Sequence, residues 1–356
     1  MLAAWTQRLS RRAPWLLISV AIATIPVLAA GASIFGTHWH SSSDQGIELL
    51  RIADVGTRHT MLTGLWSRLG WSHPGPALIW LLSPFEWVAG ETGVLIGVAF
   101  MNAIAVGGAV LLAARRDGER SAVLTALALA LLVHALGPSL LVDPWNPWVP
   151  VLPFALFLVA AWGVSDGDSV LLPVAVGVGS FCVQSHVGYA LLVVGVLAAA
   201  FALGRGARRR HLVLAALVGL TLWLPPLVEQ ATSSTGNLGA ILGAARHPAA
   251  PVAGWTTAAG VLGAELRVPG PWLTGNDPDV TGVLVGGRVL PALLVFAALA
   301  CTTAFAWRRG AGAPSTARLC ALAAAAALLG LASTAQQQGL LAPYLVRWWW
   351  VVAALA

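Results

Sequence analysis

Apolar residues in this chain gather into long unbroken runs instead of alternating with polar ones. Such runs occupy residues 14–35, 92–114, 121–141, 148–164, 169–185, 188–204, 211–228, 282–306, 317–335 and 340–356. A helix needs about 20 residues to cross roughly 30 Å of hydrocarbon. The pattern therefore predicts an all-α polytopic transmembrane protein of about ten spans, forming a single transmembrane domain over residues 1–356. A shorter apolar piece, 75–88, contains Pro84 and Glu86 and is expected to lie along the membrane interface. The first run follows Arg8, Arg11 and Arg12 and is longer than a signal-peptide core, so it reads as an uncleaved span with a cytoplasmic N-terminus. The last run reaches Ala356 without a polar tail, which leaves room for a soluble segment beyond it.

Composition narrows the class. Hydrophobic residues make up 58% of the 356 and charged residues 10%, against about 25% charged in an average soluble domain. A soluble globular protein, a disordered tail and a DNA-binding module are excluded. The net charge of +6 would fit nucleic acid if its placement did not explain it better. Alternating from the first span, 13 of the 20 basic residues, all Arg, fall on cytoplasmic segments, as the positive-inside rule requires. Of the 14 acids, 10 fall outside or at the outer boundary. Cys182, Cys301 and Cys320 lie within apolar runs and form no metal or disulfide pattern.

Cytoplasmic turns are short, whereas two external segments, about 37–91 and 229–281, are long. Long loops are uncommon unless functional, so chemistry is expected on the external face. The first segment has serines and Asp44 suited to N-capping, then Asp44, Glu48 and Arg51 on one helical face, with Arg58 beyond Asp54. This describes an amphipathic helix on the outer membrane surface whose charged stripe can face a cavity. His73-Pro74-Gly75-Pro76 then fixes a turn that opens a Trp- and Leu-rich helix. Trp66, Trp71 and Trp80 suit the interface.

An acid about ten residues after the first span, an amphipathic helix, and a basic-Pro-x-Pro turn opening such a helix resemble the GT-C superfamily of membrane glycosyltransferases. The pattern is most similar to the protein O-mannosyltransferase and aminoarabinose-transferase branch, over roughly residues 1–230 and mostly as layout. Two departures stand out: the acidic pair is Asp44-Gln45, and the Lys of the turn is His73. The resemblance implies a polyprenyl-phosphate-linked sugar donor and an inverting transfer in which the first-loop acid, here Asp44, is the general base. It also implies a role for Asp143, in the Leu141-to-Trp148 loop, in holding the acceptor or a metal. His186 occupies the position of a Lys-Gly step that reaches the lipid phosphate, with Gln184 and Ser185 as further donors.

Each site has a structural alternative. Asp44 also suits a helix cap, Asp143 a Pro-fixed turn, and His186 a satisfied polar cluster at a helix boundary. Trp145 and Trp148 suit interface anchoring or sugar stacking. Glu229, at a span's outer end, is an acceptor-site candidate, and Arg347, beside three Trp, either snorkels or pairs with a phosphate. Asp277 and Asp279 read as a solvated turn, and His38 with His40 as an interfacial loop. The candidate catalytic residues are thus Asp44 and Asp143. The candidate substrate- and phosphate-binding residues are Glu48, Arg58, His73, Gln184, His186, Glu229 and Arg347. No metal ligand is assigned, and a divalent cation stays open as a cofactor.

Together these features predict a multi-pass protein of the plasma (inner) membrane, with its site on the external side. The expected partners are the lipid-linked donor and a cell-envelope glycan, lipid or protein acceptor, with no nucleic acid. Two alternatives remain beside the transferase: a transporter or flippase of a lipid-linked glycan or small solute, and a noncatalytic relative of the same fold.

Overall fold

A computed structural model describes residues 2–35, 39–204, 206–275, 282–284, 286–310 and 314–356, with only the backbone for 2–13 and 314. Asp277, Asp279 and His38 lie outside the described residues. The chain is all-helical over the described residues, with α1 (Leu2–Ala32), α2 (Asp44–Ala53), α3 (Ala77–Asp117), α4 (Glu119–Leu140), α5 (Val151–Ser165), α6 (Leu172–Ser185) and α7 (Ala190–Leu203). It continues with α8 (Arg209–Thr232), α9 (Asn237–Arg246), α10 (Gly254–Glu265), α11 (Pro271–Thr274), α12 (Leu290–Arg308), α13 (Pro314–Ala335) and α14 (Trp348–Leu355). Among them, six helices are long and apolar enough to cross a membrane, and three shorter apolar helices cover Val151–Ser165, Ser169–Ser185 and Val187–Leu203.

The bundle is organised around α5. All 15 of its residues are buried, as expected of a helix that is apolar on every side. Helices α3, α6 and α7 pack directly on it. The outer helices show the reverse. On α8, Leu212, Leu217, Leu220 and Leu224 are exposed, and on α12 so are Leu290, Leu293 and Leu294. Exposed apolar area on this scale is stable against lipid and not against water.

The 75–88 piece forms the first arm of a helical hairpin. Ala89 and Gly90 leave helical geometry (Gly90 φ 58°) and the chain reverses. The arms touch closely: Phe85 and Phe100 have ring centroids 6.0 Å apart, and a Cβ on Gly97 would meet the Phe85 ring at 2.9 Å. The last run is helical only over Trp348–Leu355. Gly339 takes φ 72° and Pro343 opens a 3-10 turn, so residues 339–347 form a loop that bonds to Leu284 and Pro251.

At one end of α5, the Asp166 and Asp168 turn, which contains no Arg of its own, is neutralised by neighbouring helices. Arg116 and Arg318 pair with Asp166 at 3.1 and 2.9 Å, Arg115 pairs with Asp168 at 2.7 Å, and the Ser315 hydroxyl donates to Asp166. The candidate site forms at the opposite end.

Candidate functional site

Two segments remote in sequence interlock to form the floor of the site. Residues 64–73 make a small hairpin, with Gly64 N–H donating to His73 O and Ser67 N–H to Trp71 O (2.8 and 2.7 Å), and Gly70 at its tip in the left-handed region (φ 86°). The prolines at 74 and 76 then stop further pairing and launch α3. Gln184, at the end of α6, accepts a hydrogen bond from Ala77 N–H at 3.3 Å and donates to Leu222 O at 2.8 Å. Its side chain lies where a Cβ on residue 75 would be, so only glycine lets the turn approach this closely.

This contact brings His73 and His186 together, both buried, with ring centroids 4.8 Å apart and planes 33° from parallel. Val187 N–H donates to His73 Nδ1 at 3.1 Å, and Gly188 N–H donates to His186 Nδ1 at 3.2 Å. A backbone N–H can only donate, so both Nδ1 atoms are unprotonated and each neutral ring carries its proton on Nε2. Burial holds both imidazoles neutral: it pushes His186 down to about 4, and it lowers His73 well below the ordinary range with a smaller contribution from His186.

Above this pair lies a cavity of about 510 Å³, within the size range of small-molecule sites. Asp44, His73 and His186 line it, as do Arg68, Trp66, Trp145, Tyr344, Gln336 and Gln337. Asp44 does not cap α2. Ser43 occupies the cap position, without a side-chain bond and at φ 51°, and Asp44 is the first helical residue. Its carboxylate is exposed to the cavity and makes no hydrogen bond among the described residues, so its lone pairs are free to take a proton.

Helix α2 buries Glu48 completely, together with Leu49 and Ile52, and leaves Ile47 and Leu50 exposed on its other side. That arrangement fits a helix whose outer face meets lipid. Neither Glu48 oxygen has a well-formed hydrogen bond. Burial raises the Glu48 carboxyl well above its usual range, the Asp143 charge adds to this, and the Asn146 backbone N–H partly offsets it. Asp143 stands behind the cavity wall. It accepts from Trp145 N–H and from the Gln45 side chain, both at 2.9 Å, and burial raises it too. Gln45 thus serves as a donor to Asp143, where a carboxylate would repel it.

The remaining candidates do not line the cavity. Arg58 is exposed and donates to His59. Gln184 spends both ends of its amide on the backbone bonds described above. Glu229 accepts from Asn237 N–H at 2.9 Å and so holds the start of α9, while the Asn237 side chain bonds both backbone groups of Ser72. Arg347 does not snorkel: it is buried, with its guanidinium 4.1 Å from the Trp350 ring centre and 5.4 Å from that of Trp148. Glu265 is buried nearby and accepts from Trp350 Nε1 at 2.6 Å.

Arg68, Gln336 and Gln337 are the cavity residues that the sequence pattern does not reveal. Arg68 lies in an ordinary-looking polar stretch, and Gln336 and Gln337 sit 268 and more residues further on. Arg68 is fixed by donating Nη2 to the carbonyls of Gln338 and Leu340 at 3.2 and 2.8 Å. Among the described residues no three His, Cys, Asp or Glu side chains come together as a metal cage. No family model, curated protein or solved structure matches this chain.

Proposed function

We propose that this membrane protein is a glycosyltransferase of GT-C-like layout with about ten spans, acting at the external face of the plasma membrane. It moves a sugar from a polyprenyl-phosphate donor to an acceptor hydroxyl. Asp44 takes the hydroxyl proton as the acceptor oxygen forms its bond to the anomeric carbon. The bond from that carbon to the phosphate oxygen breaks, polyprenyl phosphate leaves, and the anomeric configuration inverts. The Nε2–H groups of His73 and His186 and the fixed Arg68 guanidinium stabilise the charge that develops on the departing phosphate. Asp143 positions the loop of Trp145 and Asn146 and is not in contact with the cavity.

The observation that carries this reading is one cavity lined by Asp44, whose carboxylate is unbonded among the described residues, and by His73 and His186, whose Nδ1 atoms are taken by backbone N–H groups. A second feature supports a lipid-linked donor. An apolar groove of about 370 Å³ runs between α3, α5 and α6, lined by Leu81, Phe85, Phe100, Ile104 and Phe181. Phe181 is five residues before His186, about 7.5 Å along a helix axis, so an isoprenyl chain in the groove ends near the imidazole pair.

The test is reconstitution of the full chain in liposomes with a radiolabelled polyprenyl-phosphate sugar and a membrane extract as acceptor. Release of unlabelled polyprenyl phosphate with transfer of label is the expected result. Movement of label across the bilayer while still attached to polyprenol would replace the transferase with a flippase.

A further inference from the structure

The cavity that Asp44 lines also carries aromatic rings and neutral amides. Trp145 and Tyr344 have ring centroids 4.6 Å apart with planes at 55°, forming an aromatic corner. Trp66 is 67% exposed, on the arm of the hairpin paired with Ser72 and two residues before Arg68. Exposed indole is ordinary at a lipid interface, but this ring borders a cavity shared with Asp44, Gln336 and Gln337. The Gln336 and Gln337 side-chain amides make no hydrogen bond to the described protein, in contrast to Gln338, whose amide is fully used by Ala249 N–H and Ala244 O. Each free amide offers both donors and acceptors.

Flat apolar rings beside uncommitted neutral amides match a ligand with C–H faces and a rim of hydroxyls. Formal charge in the cavity balances, with one carboxylate at Asp44, one guanidinium at Arg68 and two neutral imidazoles, so this wall offers nothing that selects a charged acceptor.

We propose that Trp66, Trp145, Tyr344, Gln336 and Gln337 form a carbohydrate platform that holds the acceptor as a neutral glycan chain, with its reacting hydroxyl towards Asp44. The platform deepens the transferase reading and rests on it only for the word acceptor. The ring corner takes the C–H face of one sugar unit, Gln336 and Gln337 hydrogen-bond its rim, and Trp66 covers the next unit. Arg68 keeps the hairpin tip in register with the 338–340 loop through its two carbonyl contacts.

The test is saturation-transfer NMR on the detergent-solubilised full chain without donor. Maltotriose and α-1,6-mannotriose are the neutral probes, and trigalacturonate is the charged control. Trp66 and Gln336 are exposed, so Trp66→Ala and Gln336→Ala leave the fold intact. Each is expected to weaken neutral-probe binding about tenfold, equivalent to about 1.4 kcal/mol. Neutral probes that fail to bind, bind undiminished to either variant, or bind more weakly than trigalacturonate overturn the platform. Because donor is absent, the two readings fail separately. A chain that binds the trisaccharides and transfers nothing loses the transferase assignment alone. One that transfers sugar while leaving them unbound loses only the platform.

Discussion

Substituting Gly75 by Ala probes the interlock on which the site rests. A Cβ there would lie 2.7 Å from Gln184 Cγ and closer still to Cδ and Oε1. Gln184 is 1% exposed and bonded at both ends of its amide, so it has nowhere to turn without leaving Ala77 N–H and Leu222 O. Stranding a buried donor or acceptor costs about 1–3 kcal/mol each, so losing both contacts gives about 2–6 kcal/mol for Gly75→Ala. The assay is thermal unfolding in detergent within a double-mutant cycle with Gln184→Ala. Removing the glutamine side chain removes the clash, so the double variant should be less destabilised than the sum of the singles by about 1 kcal/mol or more. Strict additivity, or a Gly75→Ala protein within about 0.5 kcal/mol of wild type, would refute the packing of the turn on α6.

Other outcomes follow from the buried ionisable groups. Folding holds the Glu48 carboxyl above its unfolded value, so its ionisation opposes folding as pH rises past the carboxylate range. Glu48→Gln should raise the thermal midpoint near about pH 8 and leave it nearly unchanged near about pH 4; a lowered midpoint at the higher pH would contradict this. His73 and His186 are held neutral, so stability present above about pH 6.5 is lost on acidification. For His186 the loss is ~3 kcal/mol by about pH 4. A midpoint profile for His186→Asn as steep below pH ~6.5 as that of wild type would argue against it. Asp166→Asn removes the buried carboxylate that Arg116 and Arg318 share, leaving Arg116 only its 3.7 Å contact with Asp168, and should cost about 3 kcal/mol, read as a fall in midpoint.

Much of the helical layout was legible because burial in lipid imposes length and polarity on each segment. The runs at 92–114 and 211–228 lie within α3 and α8, and the run at 121–141 matches α4 except for Leu141, its C-cap. Periodicity failed where an apolar stretch packs on protein and not along a helix axis: within 341–346, Leu341, Ala342, Leu345 and Val346 are buried, and Gly339 and Pro343 keep the stretch out of α14. Of the candidate site residues, Asp44, His73 and His186 meet in the cavity, and each lies at or near a helix end: Asp44 opens α2, His73 precedes α3 and His186 follows α6. Arg58, Glu229 and Arg347 share that kind of position, but their side chains are taken up by His59, Asn237 and tryptophan rings. Which charged residue at a span end faces the cavity depends on tertiary packing, so Arg68 and the Gln336-Gln337 pair had no local signal.

The proposed transfer requires Asp44 to accept the proton of the attacking hydroxyl. The most direct measurement is the rate of label transfer from a polyprenyl-phosphate sugar in reconstituted membranes, comparing wild type with Asp44→Asn at equal folded protein. Asparagine keeps the size of the side chain and cannot act as the base, so the rate should fall at least about 100-fold, the lower end of what a positioned general base contributes. Turnover in Asp44→Asn equal to that of wild type would contradict the account and remove this carboxylate from the reaction.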